Sequence, residues 1–300
     1  DGRSNKTIKR KADKNRGDDQ MPLKLMYITN SEDVAHIAEE AGVDRIFVDM
    51  EYIGKTDRQG GMDTVQSRHT ADDVRRLAQC LNKSELFVRV NPIHEKTDKY
   101  SSSKEEIDEV IEAGADLLML PYFKTAEEVQ TFVKYVDGRA KTVLLVETPE
   151  AAAIAENLVK IPGIDEMFIG LNDLSLGYGK NFMFELLLDG TVEELCLKFR
   201  KGGIPYGFGG IASLGKGMLP SEYVIKEHYR LGSACAILSR SFCRTGQVTD
   251  LKEIQKIFEI ELPKIRELEE ECRVHSEYFW KNRQQVETKI RQICECEDAK

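Results

Sequence analysis

The chain has 300 residues, enough for one large domain or two ordinary ones, and a net charge of −9 from 43 basic and 52 acidic residues. That balance disfavours general binding to nucleic acid or anionic membranes, so any local cluster of Arg and Lys reads as a site for a small anion. Seven scattered cysteines suit free thiols in a reducing compartment, and no apolar run approaches the ~20 residues of a membrane span, so a soluble, cytoplasmic protein is expected.

Residues 1–20 hold almost nothing apolar and carry an excess of Lys and Arg, as a flexible tail or an expression remnant would. Strand-like runs then fall at 23–29, 45–51, 86–91, 116–123, 142–148, 166–172, 205–211 and 234–239. The helix-like segments between them start at Ser31, Thr70, Ser103, Thr125, Thr148 and Pro220, each closely followed by acids. Gly42, Gly114 and Gly232 are placed to cap helices in the left-handed conformation. Eight βα units within 21–249 predict a (β/α)8 TIM barrel rather than an open doubly wound sheet, and no dinucleotide glycine fingerprint follows the first strand. Residues 250–300 read as an extended C-terminal helical arm for packing or oligomerisation. Leu262, Ile265, Leu268 and Cys272 recur there at helical spacing, as do Trp280, Val286 and Ile290.

Chemistry in such a barrel gathers at the C-terminal ends of the strands. Glu147 closes the fifth run and Asp173 the sixth, with one alanine-rich helical stretch at 150–160 between them, so the two carboxylates are expected on neighbouring parallel strands. Adjacent strands lie about 4.8 Å apart and a hard divalent cation bonds oxygen at roughly 2.0 to 2.6 Å. The pair is therefore either a metal site or two solvated strand-end acids. The second run ends Asp49-Met50-Glu51-Tyr52 and the third Arg89-Val90-Asn91-Pro92. An arginine in a valine-rich strand needs an anion. It is either a substrate carboxylate gripped by the planar fork or an internal partner, Glu51 or Asp49.

Four further features point to the same edge. The turn Gly170-Leu171-Asn172-Asp173 either offers backbone amides to a carboxylate or oxyanion or is a plain strand-to-helix turn. His94 is placed as an acid or base, or as a solvated loop histidine. The long loop 53–70, with Arg58, Gly60, Gly61, Arg68 and His69, reads as a lid or subunit contact. After the seventh and eighth runs, glycines with Lys216 and Arg240 suit a small anion such as phosphate.

Several of these segments together resemble the HpcH/HpaI aldolase and citrate lyase β-subunit family of the phosphoenolpyruvate/pyruvate superfamily, over roughly 23–242. They are Val48-Asp-Met-Glu51, Val88-Arg-Val-Asn-Pro92, Ala113-Gly-Ala-Asp-Leu-Leu-Met-Leu-Pro121, Val146-Glu-Thr148 and the stretch from Ile161 through Gly170-Leu-Asn-Asp-Leu-Ser175. The resemblance implies that Glu147 and Asp173 bind Mg2+, or Mn2+ or Co2+. It implies that Arg89 grips the carboxylate of a small anionic 2-oxo acid, aided by amides near Asn172, in a metal-dependent carbon–carbon lyase of aldolase type. Glu51 would orient a metal-bound water or the arginine. A homo-oligomer (dimer, trimer or hexamer) with exchanged C-terminal helices is also implied. The sequence departs from the aldolase branch at Tyr52, where histidine is usual, and at Leu145, where glutamine is usual. Tyr52 also lacks the aspartate of the citrate lyase branch. An unperturbed tyrosine is a poor base, so either Tyr52 acts as an acid, or a metal-bound water, His69 or His94 takes the proton, or proton transfer is not needed. An acyl-CoA lyase of citrate or malyl type and a catalytically silent metabolite-binding barrel stay open beside the aldolase.

Overall fold

The computed structural model describes residues 21–54, 69–243, 247–275 and 278–298. Eight parallel strands pair in sequence order and close into a barrel: β1 (Lys24–Ile28), β2 (Arg45–Asp49), β3 (Glu85–Arg89), β4 (Leu117–Leu120), β5 (Lys141–Val146), β6 (Glu166–Ile169), β7 (Tyr206–Ile211) and β8 (Cys235–Leu238). The fold is the expected (β/α)8 barrel. Most of the expected runs are longer than the strands at their C-terminal ends, because those last residues have left the ladder to form the site.

The helices are α1 (Glu32–Glu40), α2 (Ala71–Cys80), α3 (Ser103–Glu112), α4 (Ala126–Val136), α5 (Pro149–Ala153), α6 (Ala155–Leu158), α7 (Leu171–Gly177), α8 (Glu185–Leu188), α9 (Thr191–Lys201), α10 (Ser221–Leu231), α11 (Leu251–Val274) and α12 (Tyr278–Asp298). Side-chain oxygens of Ser31, Thr70, Thr125 and Thr148 cap their helices as expected. The cap of α3 is Ser102, one residue before Ser103, and α10 starts at Pro220 without a side-chain cap. The stretch 150–160 is not one helix: it breaks at Ile154 into α5 and α6.

Strand side chains alternate between faces, so residues 45, 47 and 49 of β2 and 85, 87 and 89 of β3 share the barrel interior. Their register pairs Arg45 with Glu85, Phe47 with Phe87 and Asp49 with Arg89. The interior is therefore layered. At the floor, fully buried Arg45 donates to Glu166 at 2.7 and 2.5 Å and to Glu85 at 2.9 Å, and Lys141 reaches Glu85 at 2.6 Å. Above it lies an apolar plug of Met26, Phe47, Phe87, Leu117, Met119, Val143, Leu145, Phe168 and Cys235. The Arg45 guanidinium stands 5.8 Å from the Phe87 ring centroid and the Arg89 guanidinium 5.8 Å from that of Phe47. These two rings are 4.7 Å apart. The plug thus seals a charged floor from a charged mouth.

The C-terminal arm divides between two tasks. Helix α11 packs on α10 and α1 and so takes the eighth helix position of its own barrel. Glu269 on α11 accepts the Leu23 N–H at 2.8 Å, and Arg266 bonds the Leu23 carbonyl at 2.8 Å and Asp44 at 2.9 Å, which ties the arm to the start of β1. Leu262, Ile265, Leu268 and Cys272 are buried as their spacing predicts, and Pro263 sits on the exposed face. Helix α12 lies against α10 and α8, with Val286 and Ile290 buried and Asn282 donating to the Tyr223 carbonyl and to Glu227, both at 3.1 Å. Trp280, expected on the same apolar face, is instead 73% exposed.

Removing Arg45 leaves the Glu166 carboxylate without its fork, so Arg45→Ala is expected to cost about 3–5 kcal/mol in urea unfolding, the range for a broken buried ion pair. Burial works against ionisation of Glu85, but hydrogen bonds from Lys141 and Arg45 hold its carboxyl down at about 2. A depressed carboxyl stabilises the fold above its unfolded value of 4.5 and loses that contribution as pH falls toward 2. Unfolding curves between those pH values should therefore be flatter for Glu85→Gln than for the parent chain.

Candidate active site

At the mouth, the Asp49–Arg89 register turns the arginine fork onto the neighbouring strand. Arg89 donates from Nε and Nη2 to the two Asp49 oxygens at 2.8 and 2.7 Å, and its Nη1 lies 3.3 Å from Glu51. The internal partners considered from sequence, Asp49 and Glu51, are thus both present. Burial works against the Arg89 charge, but Asp49 and Glu51 together raise its pKa, so the guanidinium stays charged while 15% of its side chain faces the mouth.

Glu147 follows β5 directly and is 3% exposed. One oxygen accepts the Tyr122 N–H at 3.0 Å. Tyr122 itself is held at φ +47°, a left-handed conformation that costs a non-glycine residue about 1–3 kcal/mol. The strain aims its N–H at the carboxylate. Gly170 closes the other side: a Cβ there would stand 2.8 Å from Glu147 Cβ and 2.9 Å from its Oε2, so only glycine leaves room for the acid. Burial, and then the charge of Glu51, push the Glu147 carboxyl well above the usual range; Arg89 pulls it back and Asp173 adds to the rise.

Asp173 does not end a strand. β6 stops at Ile169, and Gly170 is the N-cap of α7, whose first turn carries Asp173. The acid still faces Glu147. Both line an open cavity of about 330 Å³ whose walls also include Tyr122, Lys124, Thr148 and Glu150. Leu171 and Asn172 are helical too. Leu171 is buried against Gly209, which has φ +49° and no space for a Cβ beside it, while Asn172 is exposed and its carbonyl accepts the Ser175 hydroxyl.

The other expected residues lie elsewhere. Tyr52 is 46% exposed and packs on Tyr100 with ring centroids 5.4 Å apart. Burial first, then the charges of Glu106 and Tyr100, raise its pKa, so it keeps its proton at neutral pH and is no base. The His94 ring bridges loop carbonyls, with Nδ1 2.7 Å from Pro92 O and Nε2 2.8 Å from Ser101 O, which suits a brace for that loop. His69 Nδ1 accepts the Asp49 N–H at 3.0 Å and so supports the strand that holds Arg89. Lys216 and Arg240 are exposed on the loops after β7 and β8. The Glu222 carboxylate approaches Gly215 in the first of these loops, where an anion was expected. Arg58, Gly60, Gly61 and Arg68 lie outside the described residues.

Sequence reasoning missed Tyr122, Asn91 and Glu106, since each acts through a contact across loops that periodicity does not report. For a cation, Glu147, Asp173 and nearby Glu51 offer only carboxylate oxygens, the donors that hard divalent ions take. Among the described residues, the group of three whose ligand atoms all lie within 4.8 Å of one another is His36, Glu39 and Glu40 on α1, and not Glu51, Glu147 and Asp173. There Glu39 is already engaged by the N–H groups of Asn82, Lys83 and Ser84, which it accepts at 2.9, 2.6 and 2.8 Å.

A raised carboxyl has the opposite linkage to Glu85. The unfolded chain releases the Glu147 proton near 4.5 while the fold retains it, so this residue lowers stability as pH rises beyond that value. Glu147→Gln keeps an oxygen for Tyr122 and is expected to stabilise the chelator-treated protein at neutral pH. The gain should vanish near pH 4.5. Thermal melts at the two pH values check this, and a loss of stability at neutral pH would refute it.

The HpcH/HpaI aldolase/citrate lyase family model matches residues 24–186. No curated protein matches the chain. Among solved structures it is similar to an HpcH/HpaI aldolase from Desulfitobacterium hafniense DCB-2, at 14% identity and TM-score 0.55 over 78% of this chain and 93% of that one. It is also similar to an HpcH/HpaI aldolase/citrate lyase family protein from Burkholderia cenocepacia J2315, at 16% identity and TM-score 0.59 over 82% and 99%. Macrophomate synthase matches at 15% identity and TM-score 0.51 over 83% and 89%. At these identities the structures speak for the fold alone, whereas the family model covers more than half the sequence: the chain belongs to the HpcH/HpaI aldolase/citrate lyase family of lyase- and aldolase-type enzymes.

Proposed function

We propose that the protein is a divalent-metal-dependent carbon–carbon lyase of aldolase type that forms or consumes the enolate of a pyruvate-like 2-oxo acid. The observation that carries the reading is the surplus of carboxylate at the mouth. Asp49, Glu51, Glu147 and Asp173 gather around Arg89, and burial first, then the charge of Glu51, raise the Glu147 carboxyl. Several carboxylates gathered beside one guanidinium suit a divalent cation, with Mg2+ first and Mn2+ or Co2+ as alternatives.

In this reading Glu147 and Asp173 hold the cation, with the Tyr122 N–H and the bare Gly170 keeping Glu147 in place. When bound, the ion supplies Lewis-acid polarisation of the 2-oxo group. Arg89 faces the substrate carboxylate with the N–H groups that Asp49 does not occupy, and Asp49 keeps the fork from rotating. Glu51 lies between Arg89 and Glu147 and orients water or substrate there. Tyr52 retains its proton and acts, if it acts, as a donor at the rim. The family name supports a lyase reading, and structurally similar proteins named citrate synthase SbnG and macrophomate synthase support synthesis as the other direction.

The half-reaction needs no knowledge of the second substrate. With Mg2+ or Mn2+, the protein is expected to exchange the methyl protons of pyruvate with D2O, followed by NMR, and chelation, Glu147→Gln or Asp173→Asn should abolish the exchange. Arg89→Ala is expected to weaken binding of oxalate, a mimic of the enolate, by about 2–5 kcal/mol, as for a truncated buried charge pair. Exchange that survives chelation and both acid substitutions would sink the mechanism.

A further inference from the structure

Glu51, the acid beside Arg89, lies two residues beyond the end of its strand. β2 ends at Asp49, and the Met50 N–H makes the last strand-like bond, to the Arg89 carbonyl at 3.0 Å. The Glu51 N–H turns back to its neighbour Asp49 at 3.3 Å. Beyond it, the N–H groups of Tyr52 and Ile53 both donate to one atom, Oδ1 of Asn91, at 3.0 Å each. An amide side chain from the next loop therefore continues the ladder after the sheet has stopped.

Asn91 is 2% exposed, and its orientation is fixed from behind. Its Nδ2 donates to Glu106 Oε1 at 2.8 Å and its own N–H donates to the same oxygen at 3.1 Å. A carboxylate can only accept and a backbone N–H can only donate, so just one of the two amide orientations satisfies both ends. Glu106 is itself 7% exposed and comes from α3, a rigid element anchored by its capping box at Ser102 and Glu105. Pro92 after Asn91 biases that residue toward extended backbone, which helps to present its side chain to the neighbouring loop.

We propose that Asn91, aimed by Glu106, is the positioning residue that sets the Glu51 carboxylate in the active site. The held turn begins one residue after Glu51, and the Glu51 carboxylate is 3.3 Å from Arg89. A slip of the 51–53 turn would therefore move a charge inside the buried cluster. The catalytic consequence rests on the function proposed above; the hold on Glu51 does not.

The test uses the full chain with Asn91→Ala, Glu106→Ala and Glu106→Gln. The last keeps an oxygen for both Asn91 donors and is the conservative control. In Asn91→Ala, hydrogen exchange at the Tyr52 and Ile53 amides is expected to accelerate about tenfold or more, and the 13C carboxyl resonance of Glu51, assigned through Glu51→Gln, should shift. Pyruvate proton exchange should slow by about ten- to a hundredfold while oxalate affinity stays within about threefold, as for a misplaced group rather than a lost binding contact. Glu106→Ala should move all of these readouts in the same direction, and Glu106→Gln should restore them. Unchanged amides and an unchanged Glu51 resonance in the alanine variants would overturn the proposal. So would faster amides with an unmoved Glu51 resonance and unmoved turnover, since Asn91 would then be a loop pin alone. If the parent chain neither exchanges pyruvate protons nor binds oxalate, the functional reading falls by itself, and the Glu51 resonance still decides whether Asn91 holds it.

Discussion

The mouth of the barrel is organised by one buried guanidinium that is bonded to its neighbours but cannot neutralise them. Arg89 meets both oxygens of Asp49 and one of Glu51, while Glu147 and Asp173 add two more carboxylates nearby. Among the described residues, four acids gather around this one guanidinium, and Arg89 and Glu147 are largely withdrawn from solvent. The low dielectric that strengthens the Arg89 bonds also strengthens the repulsion among the acids. Burial therefore tightens the Arg89 ion pairs and raises the Glu147 carboxyl at the same time.

The floor of the same barrel shows what a purely structural solution looks like. Arg45 lies four residues before Asp49 and Glu85 four before Arg89, so the same strand pair makes an ion pair at each end with the charges reversed. At the floor, however, Lys24 and Lys141 join Arg45, so three cations face the two acids Glu85 and Glu166. The carboxyl of Glu85 is correspondingly depressed where that of Glu147 is raised. Phe47 and Phe87 keep the two layers apart, so the lysines of the floor do not relieve the acids of the mouth. Similar ion pairs thus lie in different surroundings: Glu85 is partly exposed with three cations beside it, whereas Glu147 is buried beside other acids.

Much of this was legible in the sequence because parallel strands buried on both faces appear as continuous apolar runs, and a charge inside such a run is conspicuous. Arg89, Glu51 and Glu147 announced themselves that way. The alternatives posed for Arg89 were not exclusive: it has its internal partners and still faces the mouth. Asp173 was read as a strand end because a four-residue strand passing into a glycine-capped helix leaves no periodic signal before the acid. For His94 and Trp280, spacing reports where a side chain could point and not what waits there. Carbonyls on both sides claim the His94 ring, and Trp280 turns outward at the start of α12. Asn91, Glu106 and Tyr122 were invisible as actors because their roles depend on contacts 15 to 39 residues away in sequence.

Leu145 shows how a departure from the family pattern can tighten the site rather than dismantle it. It belongs to the apolar plug, is 4% exposed, and places Cδ1 3.1 Å from the point where a Gly170 Cβ would stand, beside Glu147. A glutamine here, the residue usual in the aldolase branch that this sequence resembles, would bring an amide able to donate to an acid. Leucine brings none, so the carboxylate of Glu147 loses a polar neighbour without gaining solvent. Desolvation is the largest contribution to its raised pKa, and an apolar wall enlarges that contribution. The substitution therefore makes the ionised acid more dependent on positive charge delivered from the mouth.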